Sequence, residues 1–449
     1  MKTLIQDANI VNEGEVFLGS VLIDGERIAH IYRGDDTPSL SLKETVDRRI
    51  DARGLYLLPG LIDTHVHFRD PGLCHKADIE SESRAALAGG VTSYIDMPNT
   101  QPQTTTIEAW QAKNESAAGR SWANFAFYLG ATNRNIDCLL RADYGRVPAV
   151  KLFMGSSTGN MLVDDETSLR RIFAEVPALI AVHCESEARI KANKAHYLQT
   201  VGERLPIEYH SLIRDEEACY EATSLAVRLA EEYVARLHVL HISTARELAL
   251  FGQGPLQDKR ITAETCPHYL LLSTKDYAAY GSLIKCNPAL KQENDRLALI
   301  EALKDGRIDT LGSDHAPHLL AEKQGDALTA VSGCPSIQFN LLLLLEMARS
   351  GLFDQTLIVQ KYCHAPATLY HIADRGYVRE GYYADLVLVE EVPEWTLGRD
   401  AVLSKCAWSP YEGRRFHHCV SRVFVNGDLA YDQGLWQRPS VQQLIFANS

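Results

Sequence analysis

Residues 61–71 read Leu-Ile-Asp-Thr-His65-Val-His67-Phe-Arg69-Asp-Pro, an apolar run that ends in two imidazoles with a guanidinium two positions beyond. Side chains at i and i+2 of a strand point the same way, so His65 and His67 converge as metal ligands must. Pro59-Gly60 punctuates the start of the run and Asp70-Pro71-Gly72 turns the chain at its end, which sets both imidazoles at a strand terminus. Carboxyl-side strand termini are where α/β barrels collect their reactive groups. His-x-His alone also describes the wet face of a half-buried strand, so the reading depends on what other strands bring to the same end.

Working outward, apolar strands alternate with helix-like segments, the pattern of parallel βα units. Candidate strands are Leu61–His67, Val91–Met97, Ala123–Leu129, Ala149–Met154, Leu179–His183, Leu237–Ile242, Ile261–Thr265 and Asp309–Asp314. This predicts an α/β fold, a closed (β/α)8 TIM-type barrel over residues 54–377. Glu80–Ala88 and Glu216–Arg228 carry apolar residues at three- and four-residue spacing, as amphipathic helices do. Residues 1–53 and 378–449 read instead as short strands and turns, and neither end alone offers enough strands for a stable sheet. Both ends are therefore expected to pair into one small β-sandwich domain.

Of 449 residues, 46% are apolar and 23% charged, the balance of a globular chain able to bury a core. The net charge of −13 argues against a nucleic-acid partner, which asks for a basic face, and gives no pull toward anionic membranes. The longest apolar run, Leu341–Leu345, is far short of the roughly 20 residues that span a bilayer and reads as a buried helix. The opening Met-Lys-Thr-Leu-Ile-Gln-Asp-Ala lacks the apolar core and cleavage site of a signal peptide, so no secretion is expected. The ten cysteines show no framework spacing and are expected to be reduced thiols of a cytoplasmic protein. A homo-oligomer is compatible with the sequence.

The candidate strands end in unusually polar groups. The first presents His65 and His67, the fourth carries Lys151, the fifth ends in His183, the sixth contains His241 and the eighth ends in Asp314. Imidazole and carboxylate ligands suit zinc first, then manganese, cobalt or nickel, and the set is large enough for two divalent ions. Lys151 is the puzzle, because an ammonium in Ala-Val-Lys-Leu-Phe-Met is desolvated and repels a cation. It is either a buried lysine paired with an acid, or a neutral amine that adds carbon dioxide to give a carbamate able to bridge two metals. A cysteine nucleophile, Cys184 beside His183, is disfavoured because adjacent strand residues face opposite sides.

Residues 59–72 and Gly312-Ser-Asp314-His-Ala-Pro-His318 resemble the two signatures of the dihydroorotases, cyclic amidases of the amidohydrolase superfamily. The resemblance covers nearly the whole chain. It implies one metal on His65, His67 and Asp314, a second on His183 and His241, and carbamylated Lys151 between them. Some bacterial members bridge instead with an Asp from an Asp-Asp-Gly loop. Here Asp164 and Asp165 immediately precede the helix-like stretch 166–173, where acids cap a helix, so Lys151 is preferred.

The resemblance further implies a small-molecule substrate, dihydroorotate or N-carbamoyl-aspartate, contacted by Arg69, Asn99, Asn287 and His318. Arg69 would grip the carboxylate bidentately, and Asp314 would move the proton in ring-amide hydrolysis. The family uses this reaction in the ring-closing direction, in pyrimidine synthesis. Relatives that open hydantoins, dihydropyrimidines or allantoin share the metals and usually lack the Arg, and some relatives have lost metal ligands and act as assembly partners. Each contact has an ordinary alternative: Arg69 paired with Asp70, Asn99 shaping a turn, His318 capping a loop. The stretch Ser332-Gly-Cys-Pro-Ser-Ile-Gln338 departs from the family's Gly-x-x-Gly-Leu-Glu-like segment, so no backbone contact from Ser332 or Gly333 is carried over.

Overall fold

A computed structural model describes residues 1–34, 46–155 and 161–447. Strands β1 (Lys2–Asn12), β2 (Glu15–Asp24) and β3 (Arg27–Arg33) form an antiparallel meander. The turn between β1 and β2 passes through Glu13 and Gly14 at φ 51° and 83°. Two short strands, β4 (Arg48–Asp51) and β5 (Tyr56–Pro59), lie parallel to successive halves of β1. The terminal sheet thus runs on to Pro59, past the boundary at 53 expected from sequence, because β5 bonds to β1 and not to the barrel.

The barrel consists of β6 (Leu61–Val66), β7 (Val91–Asp96), β8 (Asn124–Phe127) continued by β9 (Leu129–Gly130), β10 (Val150–Phe153), β11 (Ile180–His183), β12 (Leu237–Val239), β13 (Ile261–Thr265) and β14 (Thr310–Leu311). Neighbours are parallel throughout. A parallel bridge from Val66 to His315 closes the ring. Its interior layer is built by Ile62, Ile95, Met97, Ala126, Tyr128 and Ala149, all buried.

The surrounding helices follow from local sequence. Asp78 caps Ile79–Ala88 by accepting from Ser81 N at 2.9 Å, and the helix buries Ile79, Ala85, Ala86 and Leu87. Asp215 likewise caps Glu216–Tyr233, which buries an alanine-rich face. Leu341–Leu345 lies inside Asn340–Arg349 and is wholly buried. No helix among the described residues is long and apolar enough to cross a membrane.

Returning from the barrel, β15 (Leu386–Thr396) pairs antiparallel with β5, followed by β16 (Arg415–Val425), β17 (Asp428–Asp432) and β18 (Leu435–Trp436). The terminal strands form one nine-stranded sheet in the order β18-β17-β16-β15-β5-β1-β2-β3, with β4 branching from β1. This small β-sandwich domain buries Ile5, Ile10, Val21, Leu57, Leu386 and Phe424. After β18 the chain comes back to the barrel, where Leu444 N bonds to Phe125 O at 2.8 Å and Leu444 and Phe446 join the interior cluster.

Candidate metal centre and substrate cavity

One cavity at the carboxyl mouth of the barrel is lined by His65, His67, Lys151, His183, His241 and Asp314, and also by Arg69, Asn99, Asn287, Ser332 and Gly333. The strands are shorter than the sequence predicts. His67 lies just past β6, His241 two residues beyond β12, and Asp314 three beyond β14. Strand alternation therefore does not aim these last two side chains. Arg69, His241 and Asp314 sit instead in the left-handed region, at φ 66°, 42° and 46°. Backbone held there by non-glycine residues costs of order 1–3 kcal/mol and clusters at functional sites.

The hydrogen bonds around the imidazoles decide where their lone pairs point. His67 Nδ1 lies 2.8 Å from Asn99 Oδ1, an acceptor, so Nδ1 carries the proton. Burial holds this ring's pKa down at about 4, so at neutral pH Nε2 carries only a lone pair. That lone pair faces Asp314 Oδ1 at 3.1 Å. His65 Nδ1 lies 2.7 Å from Glu264 Oε1 and its Nε2 3.3 Å from Asp314 Oδ1. At His67 a neutral nitrogen and an anionic oxygen repel at this distance unless a cation lies between them. Ligands about 2.0–2.1 Å from a tetrahedral zinc stand roughly 3.3 Å apart, so the spacing fits.

A second pair adjoins the first, since the His65 and His241 ring centroids are 5.2 Å apart. His183 Nε2 lies 3.0 Å from Glu185 Oε2, which leaves Nδ1 facing His241 Nε2 at 2.8 Å. His241 Nδ1 is buried without a partner. Burial lowers the pKa of both rings, so both remain neutral ligand donors. Asp314 is buried, yet its carboxyl stays below the usual carboxylate range, so it offers an anionic oxygen at this mouth.

Lys151 is 1% exposed, and its Nζ lies 4.5 Å from the Phe153 ring centroid. Among the described residues it has neither a hydrogen-bond nor an ion-pair partner, so the paired-lysine alternative finds no acid. Burial lowers the amine to about 7. Asp164 and Asp165 lie outside the cavity and are exposed: Asp164 accepts from Asn133 at 3.0 Å, and Asp165 caps Glu166–Glu175 through Ser168 N at 2.7 Å.

Arg69 is 4% exposed, and burial lowers its guanidinium to about 10. It donates from Nε to Pro317 O at 3.0 Å, and an Nη lies 3.0 Å from His318 Nε2. No carboxylate pairs with it among the described residues, because Asp70 is taken by Arg120 at 2.6 Å. His318 does not line the cavity. It stands behind Arg69, with Nδ1 3.1 Å from Lys76 Nζ. Asn287 Oδ1 is buried without a partner at the cavity wall.

Sequence reasoning missed the groups that orient the rings. Glu264, the fourth residue of β13, and Glu185, two past His183, each fix one imidazole, and Arg214 pairs with Glu185. The only signal was an acid at or just beyond a strand end in Ile261-Thr-Ala-Glu-Thr265 and His183-Cys-Glu185. Gly312 is part of this support, since a Cβ there would lie 2.4 Å from Glu264 Oε2.

The sequence profile of the amidohydrolase family matches residues 56–430. The chain is 34% identical over 413 residues to a dihydroorotase of Halobacterium salinarum, covering 91% of this chain and 92% of that one. It is 31% identical over 437 residues to an allantoinase of Bacillus velezensis, covering 96% and 94%. L-Hydantoinase (dihydropyrimidinase) from Arthrobacter aurescens matches with a TM-score of 0.91 at 25% identity over 99% of both chains. The chain belongs to the amidohydrolase family. Within that family it is a metal-dependent cyclic amidohydrolase.

Proposed function

We propose that this enzyme is a dihydroorotase, reversibly hydrolysing the ring amide of dihydroorotate to N-carbamoyl-aspartate and serving cytoplasmic pyrimidine synthesis in the ring-closing direction. The observation that carries this reading is Arg69, a buried guanidinium at the cavity with no carboxylate partner among the described residues. Dihydroorotate brings a carboxylate, whereas hydantoin, dihydrouracil and allantoin do not. A guanidinium fork fits that anion bidentately. Asn99, held by His67, and Asn287 offer amides to the ring, and His318 steadies Arg69 from behind.

His65, His67 and Asp314 would hold one zinc ion and His183 and His241 the other, with Lys151 as the shared ligand. A divalent metal held there would lower the pKa of water toward ~7 and polarise the amide carbonyl. The fraction of Lys151 that is neutral near pH 7 would attack the carbon of carbon dioxide and lose a proton to solvent. An anionic carbamate then replaces a desolvated ammonium. Asp314 accepts the proton of the attacking water and passes it to the ring nitrogen as the C–N bond breaks.

The test is an assay of the enzyme as isolated on dihydroorotate, dihydrouracil, hydantoin and allantoin. Dihydroorotate is expected to be favoured, and Arg69→Met should raise its KM by one to two orders of magnitude, since charge-assisted bonds of about 1.5–3 kcal/mol are lost. Wild-type preference for an uncharged ring would overturn the substrate assignment. Metal counting, with intact mass recorded under carbon dioxide, examines the Lys151 adduct.

A further inference from the structure

Lys323 closes the short turn Leu320–Lys323 and is 0% exposed, yet no acid pairs with it among the described residues. Its Nζ donates to the carbonyls of Lys285, Val331 and Gly333, each at 2.9 Å. An ammonium has three N–H donors and no acceptor, so these three carbonyls exhaust it. A buried cation held by carbonyl dipoles alone is costly to desolvate, and the fold keeps it where two segments of the cavity wall meet. One segment, 285–287, brings Asn287 to the cavity, and the other, 331–333, brings Ser332 and Gly333.

The backbone groups of the second segment can be accounted for one by one. Val331 N donates to Glu322 O at 3.0 Å and Gly333 N to Lys285 O at 2.8 Å, and both residues' carbonyls are taken by Lys323. Within this segment the peptide N–H and C=O of Ser332 alone have no hydrogen-bond partner among the described residues, and Ser332 lines the cavity. On the other side the wall is pressed against the loop that carries His318. Gly333 sits at φ 129°, where a Cβ would lie 2.8 Å from Ala316 O and 3.0 Å from His318 Cδ2.

We propose that Lys323 is a positioning residue that sets the Ser332–Gly333 wall against Asn287 and so determines how tightly the cavity holds a ring. The proposal rests on the reading that this cavity takes a small cyclic amide. Among the described residues Lys323 bonds to none of the proposed metal ligands, so its loss should act on substrate binding and leave metal content alone.

The experiment uses the full-length, metal-loaded enzyme and whichever of the four rings the wild type turns over fastest, so failure of the dihydroorotate assignment leaves it readable. Lys323→Met should raise KM by about tenfold with kcat changed by less than about threefold, and with the wild-type metal count. Lys323→Arg, which keeps the charge but cannot aim three donors as a tripod, should fall between the two. Gly333→Ala, which pushes the same wall from its other side, should show the same KM-selective loss. An unchanged KM in folded Lys323→Met overturns the proposal, as does an equal fall of kcat with loss of metal. Should Lys323→Met fail to fold, an unchanged KM in Gly333→Ala overturns it.

Discussion

Asp314 is asked both to face two imidazoles and to carry a proton, and one substitution separates these duties. Asparagine keeps an oxygen for the metal but cannot accept a proton, so Asp314→Asn should retain part of its metal while turnover falls by about 10²–10⁴-fold. Metal counting beside a kinetic assay reads both, and unchanged turnover would remove the proton-carrying role. His268 makes a different point about burial. Its Nε2 is buried without a partner, and burial holds its pKa at about 4 against an ordinary 6.5. Between these two values the unfolded chain binds a proton that the native ring refuses, so stability is lost as pH falls through that window, by up to about 3 kcal/mol. Unfolding curves from pH 7 to 4 should therefore slope less steeply in His268→Gln, and identical slopes would refute this assignment.

At the scale of elements, pinned loops aim the site as much as strands do. Asp96, ending β7, accepts from Phe68 N at 2.8 Å and pairs with buried Lys113 at 2.5 Å, which fixes the strap between His67 and Arg69. Lys113→Met leaves that carboxylate buried and unpaired. It should cost about 3–5 kcal/mol, read by denaturant unfolding, and raise KM through Arg69. Strand existence was legible because eight apolar runs with turn signals have few alternatives, and Ile261–Thr265 matches residue for residue. Strand ends were less so: the run to Ile242 stops at Val239, and the run to Asp314 stops at Leu311. Alternation cannot announce the left-handed turns at His241 and Asp314, because no glycine marks them. The polar residues gathered at the mouth were nameable from their place in the runs. Glu264 and Lys323 were not, because Glu264 meets His65 from 199 residues away and Lys323 bonds to backbone carbonyls, which no side-chain pattern marks.

Across the whole molecule, the mouth of the barrel and its floor are separate concerns. Leu444 and Phe446 complete the interior cluster far along the chain from Phe125, whose carbonyl Leu444 N meets. Phe446→Ala should cost about 3–5 kcal/mol in thermal or denaturant unfolding. Activity per folded molecule should be unchanged, because among the described residues the neighbours of Phe446 are not site residues. The pairing of β5 with β15 has a further consequence, since Pro59 lies opposite Leu386 with the entire barrel threaded between them. On the ribosome the first five strands emerge long before the partner that covers their open edge exists. They wait through hundreds of codons as an unfinished hem, so chaperone dependence during synthesis should concentrate on that early sheet rather than on the catalytic barrel.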